Sequence, residues 1–157
     1  MQNRMKTHPL TKEQMHELLR RSQNGCLATV NADGYPYNTP VHFWHDEGAV
    51  YMHGLPKGRK IENIKMNPRV SLAVFEMTGL LLDPDNKPCD TNTGYQSVIV
   101  TGNASLVDDP ELKKKVLAGI VEKYTPQLAD QPLPENQLNG TAVIRVKILQ
   151  MTGKYYD

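Results

Sequence analysis

The sequence predicts a mainly-β fold: a small antiparallel barrel with peripheral helices, in a single domain over residues 1–157. Apolar runs of strand length recur along the chain, and the first of them are joined by turns short enough to make a meander. Helical periodicity appears in only three or so segments set between the strands. Six or seven strands in this arrangement can close on themselves and so remove exposed edges. A chain of 157 residues also buries about two-thirds of its unfolded surface around one core.

In order, residues 1–9 read as a flexible arm. Thr11 opens a capping box, T-x-x-Q, with Gln14, and Met15, Leu18 and Leu19 mark one face of the helix that follows. Asn24-Gly25 stops it. Cys26 to Val30 (CLATV) is a buried strand and Asn31 to Gly34 a hairpin turn. Tyr37 to His45 is the returning strand, where Pro36 and Pro40 imply an edge, a bulge or a position open to a ligand. A turn at Asp46–Gly48 leads into a strand from Ala49 to His53, then a short helix starts near Arg59. Past Asn67-Pro68 comes a strand from Val70 to Phe75. Met77 to Thr93, with Pro84, Pro88 and several Asp and Asn, reads as a functional cover or a mobile excursion. Gln96 to Val107 is the longest strand, bulged or kinked at Gly102. Asp108-Asp-Pro110-Glu starts a helix with the stripe Leu112, Val116, Ile120 and Tyr124. Thr125 to Gly140 is a proline-rich connection. Ala142 to Met151 then alternates, with Ile144, Val146 and Ile148 on one face and Arg145, Lys147 and Gln150 mostly on the other.

The net charge is +1 and the pI near 7.8, so no global basic field exists to bind nucleic acid or an acidic membrane. The basic character is local, which suits a small anionic ligand. The mean hydropathy of −0.52 is compatible with a globular fold because the apolar residues are concentrated in the strand runs. Cys26 and Cys89 make no disulfide framework. Without an N-terminal apolar segment for a signal peptide or a membrane span, a reducing cytoplasm is the expected location.

The chain is organised around Ala49 to Asn67, AVYMHGLPKGRKIENIKMN. A strand passes through a glycine-bracketed loop, Gly54 to Gly58, into a helix N-terminus, and such an arrangement aims backbone N–H groups at one point that favours an anion. Gly54 and Gly58 allow close approach, while Lys57, Arg59 and Lys60 supply charge. A phosphate monoester carries about −1.5 to −2 charges near neutral pH, which two or three cations match. The alternative is a solvated basic turn. A Walker loop is excluded, because three residues rather than four separate the glycines and Ile61 follows Lys60.

Taken together, Ala28 to Val41 (ATVNADGYPYNTPV), Gly58 to Ile64 (GRKIENI), Asn67 to Leu72 (NPRVSL) and Tyr95 to Val107 (YQSVIVTGNASLV) resemble the FMN-binding split-barrel family, whose best-known member is pyridoxamine 5′-phosphate oxidase. The resemblance spans Thr11 to Lys154 and implies an antiparallel, Greek-key-like split β-barrel. In that family an Arg-Lys pair at the helix start binds the FMN phosphate, the role derived above for Arg59 and Lys60. The resemblance further implies cofactor contacts from Thr39, Pro40 and Val41, from His53, Gly54, Lys57 and Gly58, and from Ser97, Val98 and Ile99. It also implies a homodimer with FMN at the interface. Two departures speak against pyridoxamine phosphate oxidation. Thr39 and Trp44 replace a cofactor-holding arginine and lysine, and the closing TGKYYD lacks the oxidase's substrate-binding pattern. HGLPKGRKIENI, the Cys89…Tyr95-Gln-Ser-Val segment and Thr152-Gly153-Lys154 are instead similar to the nitroimidazole-resistance (Nim-type) branch. Members of that branch are described as flavin-dependent reductases of nitro groups with a histidine near the flavin.

FMN would carry the redox chemistry itself, with the protein binding and orienting it. His53 directly precedes the phosphate loop and is the catalytic candidate, since an imidazole can donate or accept a proton near neutral pH. It can equally be a histidine that packs against the cofactor. Ser97 can reach the isoalloxazine or be an ordinary strand serine. Trp44 and Tyr95 can wall a pocket or fill the core, and Tyr124 is most simply core. His42 and His45, three apart on one predicted strand, face opposite sides and make a poor metal pair, so no metal is expected. Three function classes follow: an FMN-dependent reductase of small electron-poor molecules, a non-catalytic flavin carrier, or a binding module for another phosphorylated ligand. The substrate and electron donor are not legible.

Overall fold

The computed structural model describes residues 6–46 and 48–157. Among them are seven strands: β1 (Gly25–Val30), β2 (Pro36–Val41), β3 (Trp44–Asp46), β4 (Ala49–Gly54), β5 (Arg69–Leu81), β6 (Asn92–Leu106) and β7 (Ala142–Tyr156). They form one sheet in the order β2-β1-β5-β6-β7-β4-β3, with every neighbouring pair antiparallel. The expected single strand from Tyr37 to His45 is divided. β2 pairs with β1 at one edge, and β3 pairs with β4 at the other. His42 and Phe43 alone connect the two edge strands. Three Cα steps span at most roughly 11 Å, so the sheet curls until its edges meet. That corner makes the barrel.

Helix α1 (Lys12–Arg21) has the predicted capping box, with the Thr11 hydroxyl and the Gln14 side chain each accepting from the other's backbone N–H. Helix α3 (Pro110–Tyr124) starts at Asp109, whose carboxylate accepts the Leu112 N–H at 2.6 Å, with Pro110 in the first turn. Between them in the chain lies α2 (Arg59–Met66). The buried Asn63 ties α2 to the sheet, donating to Thr29 Oγ1 and Asn31 Oδ1, both at 2.9 Å.

The interior core joins Leu18 and Leu19 of α1, Leu27, Phe43, Val50, Met52, Leu72, Val98, Val100, Ile144 and Val146. A second cluster lies outside the barrel, where Ala49, Tyr51 and Val143 meet Val116, Leu117 and Ile120 of α3. β4 is therefore buried on both faces, Val50 and Met52 inward and Ala49 and Tyr51 outward.

Three other expectations are corrected. Of the N-terminal arm, residues 1–5 lie outside the described residues. His8 and Leu10 are held along β7, the Leu10 N–H donating to Gly153 O at 3.1 Å and the Tyr155 N–H to His8 O at 3.0 Å. The excursion over Met77 to Thr93 is shortened at both ends by a β-ribbon: β5 and β6 stay paired to Leu81↔Asn92 past an irregularity between Met77 and Gly79, and only 82–91 lies outside the strands. The irregularity between Met77 and Gly79 interrupts the strand alternation there and hid the pairing. The connection from Thr125 to Gly140 contains a 3₁₀ turn (Pro126–Leu128) and α4 (Glu135–Gly140), which packs on α3. The bulge at Gly102 is present, with the β6–β7 register shifting between Thr101 and Gly102, where a Cβ would collide with the Lys147 carbonyl. Of the predicted turn at Asp46–Gly48, Glu47 lies outside the described residues.

Candidate functional site

Strand alternation places His53 on the same face of β4 as Ala49 and Tyr51, toward α3, and the register sets it opposite Val143 of the outer cluster. β4 ends one residue later at Gly54. The chain then reaches Gly58, whose φ of +118° suits glycine. The Gly58 carbonyl accepts the N–H groups of Ile61 and Glu62 at 2.9 and 3.1 Å, and no side chain caps the helix start. The first turn of α2 thus keeps its positive end available. A Cβ at Gly58 would meet nothing within 4 Å, and one at Gly54 would meet only the Lys60 ammonium, at 4.0 Å. Both glycines border open space of the kind a phosphate needs.

The three cations lack carboxylate partners: no ion pair among the described residues involves Lys57, Arg59 or Lys60. The Arg59 guanidinium lies 5.2 Å from the centroid of the Tyr37 ring on β2. Lys60 is half-buried, and desolvation pushes its ammonium below the ordinary lysine range. A desolvated cation without a counter-charge beside an uncapped helix start fits a phosphate group. The strand, loop and helix expected over Ala49 to Asn67 are present.

His42 sits at the corner between β2 and β3 and stacks on Tyr124, with ring centroids 4.4 Å apart at 20°. The Tyr124 hydroxyl accepts the Phe43 N–H at 2.8 Å and lies 2.8 Å from Gln23 O, an acceptor it can donate to. Tyr124 is thus a polar anchor for the corner as well as part of the helix stripe. His53 as a residue is open to solvent, yet its ring lies against the α3 face. That partial desolvation, then the positive influence of His42 and Lys60, lowers its pKa below the usual imidazole value. His42 is the neighbour that sequence reasoning passed over. A cavity of about 140 Å³ opens on His53 between α3 and the 133–141 segment.

His42 and His45 do not converge. His45 Nε2 instead meets His16 Nδ1 of α1 at 3.2 Å, and desolvation, then the charges of His16 and Arg20, holds its pKa at about 4. Trp44 packs on Gly119 of α3, and Tyr95 lies beside Phe75.

The remaining expected cofactor contacts fall into two groups. On β2, Thr39 is half-buried, Pro40 exposed, and Val41 turned into the core. On β6, Val98 is a core residue while Ser97 and Ile99 point to the other face of the sheet. Ser97 is opposite Lys154 on β7, whereas His53 is opposite Val143, so the two lie toward opposite ends of that 15-residue strand.

Residues 11–155 match the family model described as pyridoxamine 5′-phosphate oxidase. The chain belongs to this family. A 5a,11a-dehydrotetracycline/5a,11a-dehydrooxytetracycline reductase of Streptomyces rimosus is 34% identical over 100 residues, a stretch covering 61% of this chain and 63% of the reductase. The match therefore spans under two thirds of that relative. Among solved structures, a candidate 5-nitroimidazole antibiotic resistance protein from Bacteroides thetaiotaomicron aligns with a TM-score of 0.80 and 24% identity over 94% of this chain and 86% of its own. A flavocytochrome from Azotobacter vinelandii also reaches 0.80, at 23% identity over 94% and 68%. An FAD- and heme-binding protein from Mycobacterium smegmatis reaches 0.83, at 16% identity over 94% and 72%. At these identities the likeness establishes the fold, and the split-barrel expectation holds.

Proposed function

We propose that the protein is an FMN-binding oxidoreductase that reduces small electron-poor molecules such as 5-nitroimidazoles. The observation that carries this is the loop from Gly54 to Lys60: an uncapped helix start, two glycines facing open space and three cations without carboxylate partners, with a partly desolvated histidine beside them. Family membership and the reductase relative support the oxidoreductase class. The number of cations favours a phosphate monoester, hence FMN.

In this reading Lys60, Arg59 and the α2 N-terminus hold the phosphate, and Gly54 lets the chain approach it. A bound flavin would supply the electron transfer. His53 holds a proton at the mouth of the adjacent cavity, where a substrate oxygen receiving electrons needs one. Because its pKa is lowered, the ring gives up a proton readily once charged.

The site is shared by two copies of the chain. Ser97 and Ile99 lie away from His53 along β7, which supports a contact with a flavin held by the partner's loop. Phe75, Met77 and Leu80 on β5 and Leu82 just beyond it are 60, 53, 60 and 69% exposed, an apolar surface suited to a second copy. A flavin-loaded monomer in sedimentation would reject the shared site. No helix among the described residues is long and apolar enough to cross a membrane, and a cytoplasmic enzyme accords with the two unpaired cysteines.

The deciding experiment is the visible spectrum of the purified protein, followed by anaerobic mixing of the reduced form with a nitroimidazole. A flavin spectrum with substrate-dependent reoxidation is expected. A flavin spectrum without reoxidation would make the protein a carrier, and a colourless protein that FMN cannot reconstitute would point to another phosphorylated ligand.

A further inference from the structure

We propose that the cavity beside His53 is a substrate pocket for one neutral aromatic ring, and that Leu138 sets the size it admits. The inference rests on the reductase reading above and names the substrate class for it.

The cavity measures about 140 Å³, and His53 lines it together with Leu117, Ile120, Leu133, Gln137 and Leu138. Pockets that enclose drug-sized molecules run from about 300 to 1,000 Å³, so a fused multi-ring substrate cannot enter. An apolar cavity of about 150 Å³ takes a benzene-sized ring. This one is of that size and mostly apolar. No carboxylate, lysine or arginine lines it, which selects an uncharged ring. The polar groups are at its edges. Thr141 Oγ1 donates to the Gln137 carbonyl at 2.8 Å, so that hydroxyl proton is occupied. The exposed Gln137 side-chain amide remains available as a donor at the rim.

The cavity is placed to meet the cation loop. His53, which lines it, directly precedes Gly54, and a Cβ on Gly54 would lie 4.0 Å from the Lys60 ammonium. A ring in the cavity and a phosphate on the loop are thus separated by His53. The far wall is built from the 133–141 segment. There Pro134 precedes α4 without a side-chain cap, and Leu133 and Leu138 join the cluster around Leu117 and Ile120.

The test compares 2-methyl-5-nitroimidazole, one ring, with 6-nitroindazole, two fused rings, on the full chain as purified. Binding is followed by ligand-observed NMR and by the His53 ring C–H resonance, assigned through its loss in His53→Gln. Reoxidation of the reduced protein is followed by stopped flow. A misfit of one methylene in such a pocket is worth on the order of ten- to two-hundredfold. Leu138→Phe should therefore weaken one-ring binding by at least about tenfold, while Leu138→Ala should shift the two-ring to one-ring ratio by about the same factor toward indazole. Leu133→Ala should shift the ratio the same way and serves if Leu138→Ala does not fold. One-ring binding that leaves the His53 resonance unmoved, or an unchanged ratio in the folded variants, would overturn the pocket. If the variants behave as expected but wild type reduces neither probe, the reductase reading falls and the pocket stands. If wild type reduces both and no variant shifts the ratio, the pocket falls and the reductase reading stands.

Discussion

Replacing Lys60 with methionine separates a phosphate-binding lysine from a structural one. Its ammonium is half-buried, its pKa is lowered by desolvation, and no carboxylate pairs with it among the described residues. A charge-assisted hydrogen bond contributes about 1.5–3 kcal/mol. The half-buried position screens this one incompletely, so the upper part of the range applies. Lys60→Met should thus weaken FMN binding by about 2–3 kcal/mol, or roughly 30- to 140-fold at 1.4 kcal/mol per decade. Arg59, exposed above Tyr37, is better screened. Arg59→Ala should fall lower in the range. Riboflavin, which has no phosphate, should bind the Lys60→Met protein almost as it binds wild type. The flavin-free variant should melt at the wild-type temperature or above it, because the substitution removes a desolvated charge and keeps the apolar stem. Fluorescence titration of both flavins and a thermal scan of the flavin-free protein measure this. Equal losses for FMN and riboflavin, or a lower melting point with an unchanged FMN-to-riboflavin ratio, would refute the reasoning.

Three further outcomes are expected. His53→Gln should keep its flavin and lose roughly 10²–10⁴-fold in the substrate step, leaving reduction by dithionite nearly unchanged. If His53 donates the proton, the wild-type substrate step speeds up as pH falls through its lowered pKa, and a flat pH profile in wild type would remove it from that role. His45 has a folded-state pKa of about 4 against an ordinary 6.5. The unfolded chain therefore takes up its proton first as pH falls, and stability present above pH 6.5 is lost down to about 4. Urea midpoints across that window should slope less in His45→Gln than in wild type. Gly119→Ala puts a Cβ into the Trp44 indole and should destabilise by about 1–3 kcal/mol through overpacking, with a changed Trp44 fluorescence. An unchanged urea midpoint would show that α3 shifts freely on the barrel.

Where sequence reasoning succeeded, the information was local. The Thr11 capping box, the Asp109-Pro110 helix start and the strand-loop-helix from Ala49 to Met66 each depend on residues within a few turns of one another. The bulge at Gly102 was also legible, because a lone glycine in an apolar strand signals close backbone approach. The ribbon beyond Met77 was not. Its strand character comes from the register of β5 on β6, and the residues there are largely polar or exposed. The division between β2 and β3 was hidden for a related reason. Nothing in TPVHFW marks which neighbour each half will pair with.

The sequence by itself determined the mainly-β class, the strand-loop-helix that carries Lys57, Arg59 and Lys60, and the position of His53 near the end of its strand. Period-2 patterning, capping chemistry and glycine conformation act over a few residues and survive without tertiary context. Only the tertiary structure decided what stands around that loop. Closure of the barrel across His42 and Phe43 brings Tyr37 beneath Arg59 and sets His42 beside His53. Docking of α3 and the 133–141 segment then makes the cavity from Leu117, Ile120, Leu133 and Leu138, residues 64 to 85 positions beyond His53. Those neighbours follow from burying the outer face of β4 against α3. Such burial is non-directional and leaves no mark in the local sequence of either partner that names the other.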